Sequence, residues 1–366
     1  MRVCVTGATG FIGAHVTSQL VAAGHDVRVS VRDPGRLRAL EGVEVEPVQA
    51  NVLDRRALRR VFEGCELVFH AAGLVASRPA GEVWRVNAIA PRLAVEAAAR
   101  AGVRRVIVTS SVGALGPATG RRAANEQNSW PEDGTGLLYT DAKHEGELAA
   151  LEAGDRLDID VVSVNPAYVL GAALNRSLAG ETSTRIVANY LRGRLPAIVD
   201  SYTNLVDVED VARGHLLAAR KGRAGERYIL GGDNLRWSEV VERVARISGV
   251  EHTLIVLPPE VASAAGVMKR LGGPFGTLEG IRLMAPQWRY SSAKARKELG
   301  YTPRSANETL LRTVEWYLEL IEDDRLPAKR NRSFDWMTGA VRVANRFGLL
   351  APLRAAGSLA GRKTVL

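Results

Sequence analysis

The stretch Val3-Cys4-Val5-Thr6-Gly7-Ala8-Thr9-Gly10-Phe11-Ile12-Gly13 decides the fold of this chain. Its valines alternate as in a short buried strand, its glycines predict a tight turn, and apolar residues then recur at helical spacing at Ile12, Val16 and Leu20. In such a unit, small residues let the backbone approach a pyrophosphate, which binds at the positive N-terminal end of the helix. A plain structural corner is the weaker interpretation, because both a strand and a helix flank the turn. The stretch therefore predicts a dinucleotide site.

A second motif, Tyr139-Thr140-Asp141-Ala142-Lys143, has the chemistry of proton transfer. Side chains four residues apart share one face of a helix. The ammonium of Lys143 favours the phenolate of Tyr139, so we expect it to lower the tyrosine pKa from its ordinary value near ~10 toward neutrality. Alone, the pair is typical of a solvated helix face. Together with the glycine turn, it predicts general acid-base chemistry beside a dinucleotide.

Apolar strand patterns alternate with helical patterns along the first half of the chain. This alternation predicts an α/β protein with a doubly wound parallel-sheet Rossmann fold and a smaller α/β substrate-binding lobe. We assign residues 1–166 to the NAD(P)-binding domain, with residues 204–231 returning to it. Residues 167–203 and 232–320 form the predicted substrate-binding lobe, and residues 321–366 are a C-terminal extension.

Five landmarks occur in order: residues 6–13, His70-Ala71-Ala72-Gly73, Thr109-Ser110-Ser111, the Tyr139 and Lys143 pair, and Asn165-Pro166. In these landmarks the chain resembles the extended short-chain dehydrogenase/reductases of the NAD-dependent epimerase/dehydratase superfamily, from Met1 to about Leu320. The runs VRVSVRDP (27–34), NLVDVEDVARGH (204–215) and ERYILGGDN (226–234) look most like the subgroup of dihydroflavonol 4-reductases, 3β-hydroxysteroid dehydrogenases and hopanoid-associated epimerase-like proteins.

The resemblance implies a catalytic trio. Tyr139 would exchange a proton with the substrate oxygen, Lys143 would hold the nicotinamide ribose, and Ser111 would orient the oxygen, with Thr109 or Ser110 as alternatives to Ser111. Motif and resemblance together give the cofactor-binding candidates: Gly7, Thr9, Gly10, Phe11, Ile12, Gly13, Arg32, Asn51, Val52, Ala71, Ala72, Gly73, Asn87, Thr109, Tyr139, Lys143, Pro166 and Val169. For Asn87, a local hydrogen-bonding role is the alternative. No metal site is predicted.

The end of the second predicted strand bears on the choice of cofactor. NAD enzymes commonly have an acid there for the ribose hydroxyls, whereas a 2′-phosphate needs a cation. This strand ends at Arg32, and Arg36 and Arg38 add positive charge, so we favour NADP(H) over NAD(H). In the alternative interpretation Arg32 pairs with Asp33 or faces solvent, and Asp33 holds the ribose.

Two enzyme hypotheses differ in their substrate. In the family that the chain resembles, nucleotide-sugar epimerases bind the substrate's diphosphate with arginines at two positions. In this chain, Thr203 stands at the first of the two positions, and only Arg289 lies near the second. We therefore predict a reductase of a hydrophobic ketone or aldehyde, or a dehydrogenase of the corresponding alcohol, with a nucleotide-sugar epimerase or dehydratase as the alternative. A non-catalytic dinucleotide sensor is a remote third hypothesis. Candidate residues for an apolar substrate pocket are Gly113, Leu115, Trp130, Leu138, Tyr168 and Tyr190.

Composition excludes several classes. The net charge of +9 is spread over scattered basic clusters without interleaved aromatics, which argues against a nucleic-acid partner. Two cysteines are too few for a disulfide framework, and no apolar run is long enough to span a bilayer, so we expect a cytoplasmic protein. In residues 330–366, apolar side chains at helical spacing accompany arginines. This pattern predicts that the tail contacts the inner face of a membrane, docks on the protein's own surface or forms a contact in a homodimer.

Overall fold

In the computed structural model, the described residues are 1–33, 35, 37–76, 78–179, 183–260, 284–323, 332–359 and 364–366. A seven-stranded parallel sheet organises the first lobe. Its strands are β1 (Arg2–Thr6), β2 (Asp26–Val31), β3 (Glu46–Gln49), β4 (Leu67–His70), β5 (Arg105–Thr109), β6 (Asp160–Pro166) and β10 (Arg227–Leu230). Their spatial order, β10-β6-β5-β4-β1-β2-β3, contains the 3-2-1-4-5-6 order of a dinucleotide-binding sheet. The predicted doubly wound fold is confirmed.

Helices cover both faces of this sheet, because successive strand side chains point to opposite sides. Val3 and Val5 of β1 belong to one buried cluster, and Cys4 belongs to the other. The helices of the first lobe are α1 (Phe11–Ala22), α2 (Arg55–Phe62), α3 (Ala80–Trp84), α4 (Ala90–Arg100), α5 (Leu138–Arg156), α7 (Val208–Lys221) and α9 (Ala293–Leu299). A π-helical turn, Arg85–Ile89, joins α3 to α4. Both cysteines are free and buried.

The second lobe has two small sheets and its own buried core. One sheet contains β7 (Tyr168–Leu170), β9 (Tyr202–Asp207) and β11 (Asp233–Arg236), and the other contains β8 (Ala197–Val199) and β12 (Ile255–Leu257). The helices are α6 (Arg185–Leu191), α8 (Trp237–Ser248) and α10 (Ala306–Glu322). Trp237, Leu310 and Tyr317 are buried in the core between them.

The sequence-based domain boundaries stay a prediction, and the packing adds two details. The segment 204–231 contains α7, which packs on α1, and β10, which pairs with β6. Within 232–320, however, Ala295, Leu299 and Tyr301 pack into the buried cluster of the first lobe. The chain therefore passes between the two lobes more often than the sequence-based domain boundaries imply.

The tail forms α11 (Arg332–Arg346) and α12 (Ala351–Leu359) and docks on the second lobe. Arg342 donates to the carbonyl oxygen of Gly193 at 2.9 Å. The last residue, Leu366, exchanges two backbone hydrogen bonds with Leu254, both 3.0 Å. Docking on the protein's own surface was one of the predicted alternatives for this segment. None of the helices in the described ranges is both long and apolar enough to cross a membrane.

Candidate active site

The carboxyl ends of five adjacent strands meet at one edge of the large sheet. Thr6 of β1 lies beside Ser30 of β2 and His70 of β4, and Thr109 of β5 lies beside Val164 of β6. The residues after these positions therefore lie along the same edge, where ligands bind in open α/β sheets. Most of the predicted cofactor residues follow one of these strand ends.

The glycine turn has the shape that a dinucleotide requires. Gly7 has a φ of +70°, and a Cβ there would lie 2.5 Å from the backbone nitrogen of Ala72. A Cβ on Gly13 would collide with the carbonyl oxygen of Gly7. Helix α1 begins at Phe11 with no side-chain cap and no acid in its first turn. Its first N–H groups thus remain open to an anion, and the segment fits a pyrophosphate.

The loop after β4 is held by Asn87. The Asn87 side chain accepts from Leu74 N at 3.1 Å and donates to the carbonyl oxygens of Leu74 at 2.9 Å and Val83 at 3.0 Å. A Cβ on Gly73 would lie 3.2 Å from Lys143 Nζ, so this loop passes close to the predicted catalytic lysine. Asn87 is thus a local hydrogen-bonding residue that shapes the loop. The adjacent Ala71 and Ala72 are half-buried.

Two further candidates lie farther along the sheet edge. Asn51 is exposed and accepts from Leu53 N at 3.0 Å, and Val52 is half-buried beside it. The Arg32 side chain is 73% exposed and 3.8 Å from the Glu82 carboxylate. Arg36 lies outside the described residues, and Arg38 is exposed. The position of Arg32 leaves its guanidinium accessible to a ligand at this edge.

The Ser111 and Tyr139 side chains lie near one another at the site. Burial raises the pKa of Tyr139 to about 12, and the neighbouring Ser111 hydroxyl opposes this rise only in part. The expectation that Lys143 lowers the pKa of Tyr139 is therefore wrong in this structure. Tyr139 holds its proton at neutral pH, as a general acid must.

Lys143 lies beneath the loops of the first lobe, with its ammonium directed at the end of β5. Its Nζ donates to the carbonyl oxygen of Thr109 at 2.9 Å. Burial lowers the pKa of Lys143 to about 8, and the negative charge of Glu147 opposes that fall. The Thr109 hydroxyl is paired with His215 at 2.8 Å, so its carbonyl group is the part of Thr109 that reaches the site.

Glu147 is a buried carboxylate that the sequence reasoning missed. It accepts from Ser163 Oγ at 2.8 Å and from Asn165 Nδ2 at 2.5 Å, and Arg227 Nε lies 3.3 Å from it. The same Asn165 amide also donates to the carbonyl oxygen of Ser111 at 3.0 Å. The signal was present in the sequence, because Glu147 follows Tyr139 and Lys143 at steps of four residues on α5.

His70 lies under the same site and is neutral. Its Nδ1 is 2.9 Å from the Thr6 hydroxyl, and its Nε2 has no hydrogen-bond partner among the described residues. Burial, aided by the charge of Lys143, lowers the pKa of His70 to about 3. His70 therefore adds no positive charge near Lys143.

The predicted substrate residues do not all line an open space. Leu115 and Tyr190 are buried in cores, and the Tyr190 hydroxyl donates to the carbonyl oxygen of Val250 at 3.0 Å, so their assignment as pocket residues is wrong. Trp130 is half-buried and stacks on His144 with ring centroids 3.7 Å apart. Tyr168 is half-buried and donates to the carbonyl oxygen of Ser183 at 2.9 Å.

The other candidates beside the site have little exposed surface. Gly113 is buried against the side chain of Thr140, whereas Leu138 is half-buried. Pro166 and Val169 are buried, and Val169 packs in the core of the first lobe. Through its side chain, Val169 therefore contacts protein rather than a ligand.

Tyr290, from the loop before α9, supports the turn after Ser111. Its buried hydroxyl group lies 3.0 Å from the carbonyl oxygen of Val112 and 2.6 Å from that of Gly116. Tyr290 is 178 positions from Val112 and 174 positions from Gly116 in the chain, so no local sequence pattern could indicate this contact.

Comparisons with known proteins agree with this geometry. The model of the NAD dependent epimerase/dehydratase family matches residues 3–231. Sterol demethylase protein B of Methylococcus capsulatus is 33% identical over 334 residues, covering 87% of this chain and 99% of that protein. Cinnamoyl-CoA reductase 1 of Oryza sativa subsp. japonica is 35% identical, covering 67% of this chain and 75% of that protein.

A solved structure has a similar fold. The nucleoside-diphosphate-sugar epimerase PA4631 from Pseudomonas aeruginosa superposes with a TM-score of 0.72 at 25% identity, covering 87% of this chain and 98% of that one. The resemblance stated from the sequence motifs is confirmed.

Proposed function

Because this chain belongs to the NAD dependent epimerase/dehydratase family, we propose that it is an NADP(H)-dependent reductase of a hydrophobic ketone or aldehyde, or a dehydrogenase of the corresponding alcohol. The observation that carries the proposal is the placement of the Ser111 hydroxyl near that of Tyr139, with buried Lys143 one helical turn beyond Tyr139. A pure dinucleotide sensor has no use for this trio.

The residues of the first lobe fit the cofactor. The open N-terminus of α1 would hold the pyrophosphate, and exposed Arg32 would contact a ribose 2′-phosphate. Lys143 would donate to the nicotinamide ribose hydroxyls. When bound, the cofactor supplies or accepts the hydride. The family description names NAD, and the preference for NADP(H) is part of our proposal.

Proton transfer falls to Tyr139. With a pKa of about 12, its hydroxyl is protonated at neutral pH and can donate to a carbonyl oxygen that becomes an alkoxide. Ser111 would donate a second hydrogen bond to the same oxygen and fix its position. The turn that carries Ser111 is held by Asn165 from one side and by Tyr290 from the other. The turn of Ser111 is thus supported by side chains from β6 and from the loop before α9.

The apolar substrate class rests on two supports. The names of two relatives, a sterol demethylase protein and a cinnamoyl-CoA reductase, include a sterol and a cinnamoyl group, each of which contains a hydrocarbon ring. In this chain the position of the first predicted diphosphate-clamping arginine is Thr203, which is 2% exposed. Arg289, near the second, donates to the carbonyl oxygens of Arg121, at 2.8 Å, and Gly120. An arginine engaged in this way is a poor diphosphate clamp.

The epimerase alternative has its own support in the solved nucleoside-diphosphate-sugar epimerase. The deciding assay follows NADPH absorbance with a panel of hydrophobic ketones and aldehydes, while nucleotide sugars are incubated in parallel and their products separated. Net oxidation of NADPH by a ketone or aldehyde supports the proposal. An isomerised sugar without net cofactor change contradicts it and establishes the epimerase.

Tyr139→Phe tests the assigned chemistry. We expect turnover to fall by about 10²- to 10⁴-fold, because the general acid is lost, while the dissociation constant of NADPH stays within about twofold. Tyr190→Phe, in the core of the second lobe, is the matched control and should keep most of the turnover. Normal turnover in Tyr139→Phe would remove Tyr139 from the mechanism.

A further inference from the structure

Helix α11 has two opposite faces. At about 100° per residue, Thr338, Val341 and Asn345 point to one side, and Trp336, Val343 and Phe347 point to the other. The first side meets the second lobe: Thr338 and Val341 are buried, and Asn345 donates to the Thr253 hydroxyl at 2.7 Å. The second side has no such cover. Trp336 is 68% exposed and Phe347 is 72% exposed.

The turn after α11 and the next helix also carry exposed apolar side chains. Leu349, in the turn after α11, is 67% exposed, and Leu353 on α12 is 47% exposed. Every described side chain of α12 is exposed. We call this surface the tail face and define it by Trp336, Val343, Phe347, Leu349 and Leu353. A contiguous group of large exposed apolar side chains is unusual on a soluble surface and marks an interaction site.

The side-chain charges of the tail from Trp336 onward are all positive. This stretch has no Asp or Glu, although Asp335 directly precedes it, and it has five cations: Arg342, Arg346, Arg354, Arg362 and Lys363. Of these, Arg346 and Arg354 are exposed beside the tail face. Protruding tryptophan, phenylalanine and leucine side chains among arginines match an anionic lipid surface, which accepts apolar groups below its headgroups and cations among them.

Charge also argues against a second copy of the chain as the occupant. In a two-fold symmetric dimer a patch meets itself, so the basic patch with Arg346 and Arg354 would meet a second basic patch, and the tail from Trp336 onward contributes no Asp or Glu to pair with it. A membrane has no such penalty. We propose that the tail face binds the anionic surface of a lipid bilayer and lies in the interfacial plane, with the second lobe behind it.

This proposal does not rest on the proposed reductase function, because vesicle binding needs neither cofactor nor substrate. The test is flotation of the full chain with vesicles of phosphatidylcholine alone and with vesicles that also contain phosphatidylglycerol. We expect the chain to float with the anionic vesicles only, to be released by high salt, and to show a blue shift of tryptophan emission on binding.

Two variants and a control make the test specific. Phe347→Ser with Leu349→Ser should lower the partition coefficient by about tenfold or more, since it removes two large and well-exposed apolar groups of the tail face. Arg346→Ser with Arg354→Ser should weaken binding to anionic vesicles and leave the melting temperature unchanged. Leu157→Ser removes an exposed leucine at the end of α5 and should bind like the parent chain.

Three outcomes would overturn the proposal. The parent chain fails to float with anionic vesicles, or the Phe347 and Leu349 double variant floats as well as the parent. In the third, sedimentation shows a dimer that this double variant converts to a monomer without any vesicle binding, which would make the tail face an interface between copies. None of these outcomes bears on turnover with NADPH.

Discussion

Replacing Glu147 with glutamine tests how the buried carboxylate controls the lysine one turn before it. Glu147 accepts from Ser163 and Asn165 and pairs with Arg227, whose side chain is 21% exposed. Hydrogen bonds to a charged acceptor are worth roughly twice those to a neutral one, so the two bonds together lose about 2 kcal/mol, and the weakened ion pair adds about 1 kcal/mol. We expect Glu147→Gln to lower the free energy of unfolding by about 3 kcal/mol.

The same variant has a functional effect that lost stability alone would not produce. The pKa of Lys143 is about 8, and Glu147 holds it up against burial. Without that negative charge the pKa falls further, so the ammonium loses its proton at a lower pH. If Lys143 donates to the ribose hydroxyls, the dissociation constant of NADPH rises with pH, and in Glu147→Gln this rise begins closer to neutrality.

The assay is a fluorescence titration of NADPH across a pH series, combined with urea denaturation of the same samples. Glu145→Gln removes an exposed carboxylate from the same helix and should leave both the pH midpoint and the stability unchanged. An identical midpoint in Glu147→Gln and the parent chain would refute the argument that Glu147 keeps Lys143 protonated.

Two further predictions concern the cofactor and acid stability. Arg32→Ala should raise the dissociation constant of NADPH by about tenfold and leave that of NADH unchanged, as one charged hydrogen bond to the 2′-phosphate is lost; equal effects on both cofactors would contradict the NADP(H) preference. Burial lowers the pKa of three histidines from the ordinary 6.5: that of His15 to about 4, that of His70 to about 3 and that of His215 to about 4. As the pH falls, the unfolded chain binds these protons before the folded protein does, which lowers the free energy of unfolding. The pKa of Asp207, raised to about 6, has the opposite effect and offsets part of this loss. The free energy of unfolding should therefore fall by about 3 kcal/mol between roughly pH 7 and 5.5. A free energy in urea denaturation that is constant over this range would show that these histidines take up protons while folded.

Local sequence patterns were sufficient for the first lobe. The glycine turn and the alternation of strands and helices predict a sheet whose order then follows from right-handed crossovers. Strand β3 (Glu46–Gln49), at the sheet edge, is an exception, because three of its four residues are exposed. Edge strands carry weaker apolar patterns, since one side of the strand faces solvent.

The features of the candidate site that depend on the spacing of residues in the sequence were predictable. Those that depend on the packing of side chains in three dimensions were not. Tyr139 and Lys143 share a helix face, so their neighbourhood follows from the sequence. The pKa of Tyr139 depends on how deeply the packing of the surrounding chain buries it, and burial raises this pKa where the spacing of Tyr139 and Lys143 predicted a fall. Tyr190 was placed in a pocket because an aromatic residue fits both a core and a ligand surface.

The contact of Tyr290 with the turn after Ser111 limits how this enzyme can be redesigned. Lobe exchange between relatives is an obvious route to a new specificity, with a junction after Pro166. A graft that replaces the loop containing Tyr290 removes the hydroxyl group that lies within hydrogen-bond distance of the Val112 and Gly116 carbonyl oxygens, and it weakens the support of the turn after Ser111. A working chimera must therefore inherit that loop together with the parental turn, so the natural unit of exchange is discontinuous in the chain.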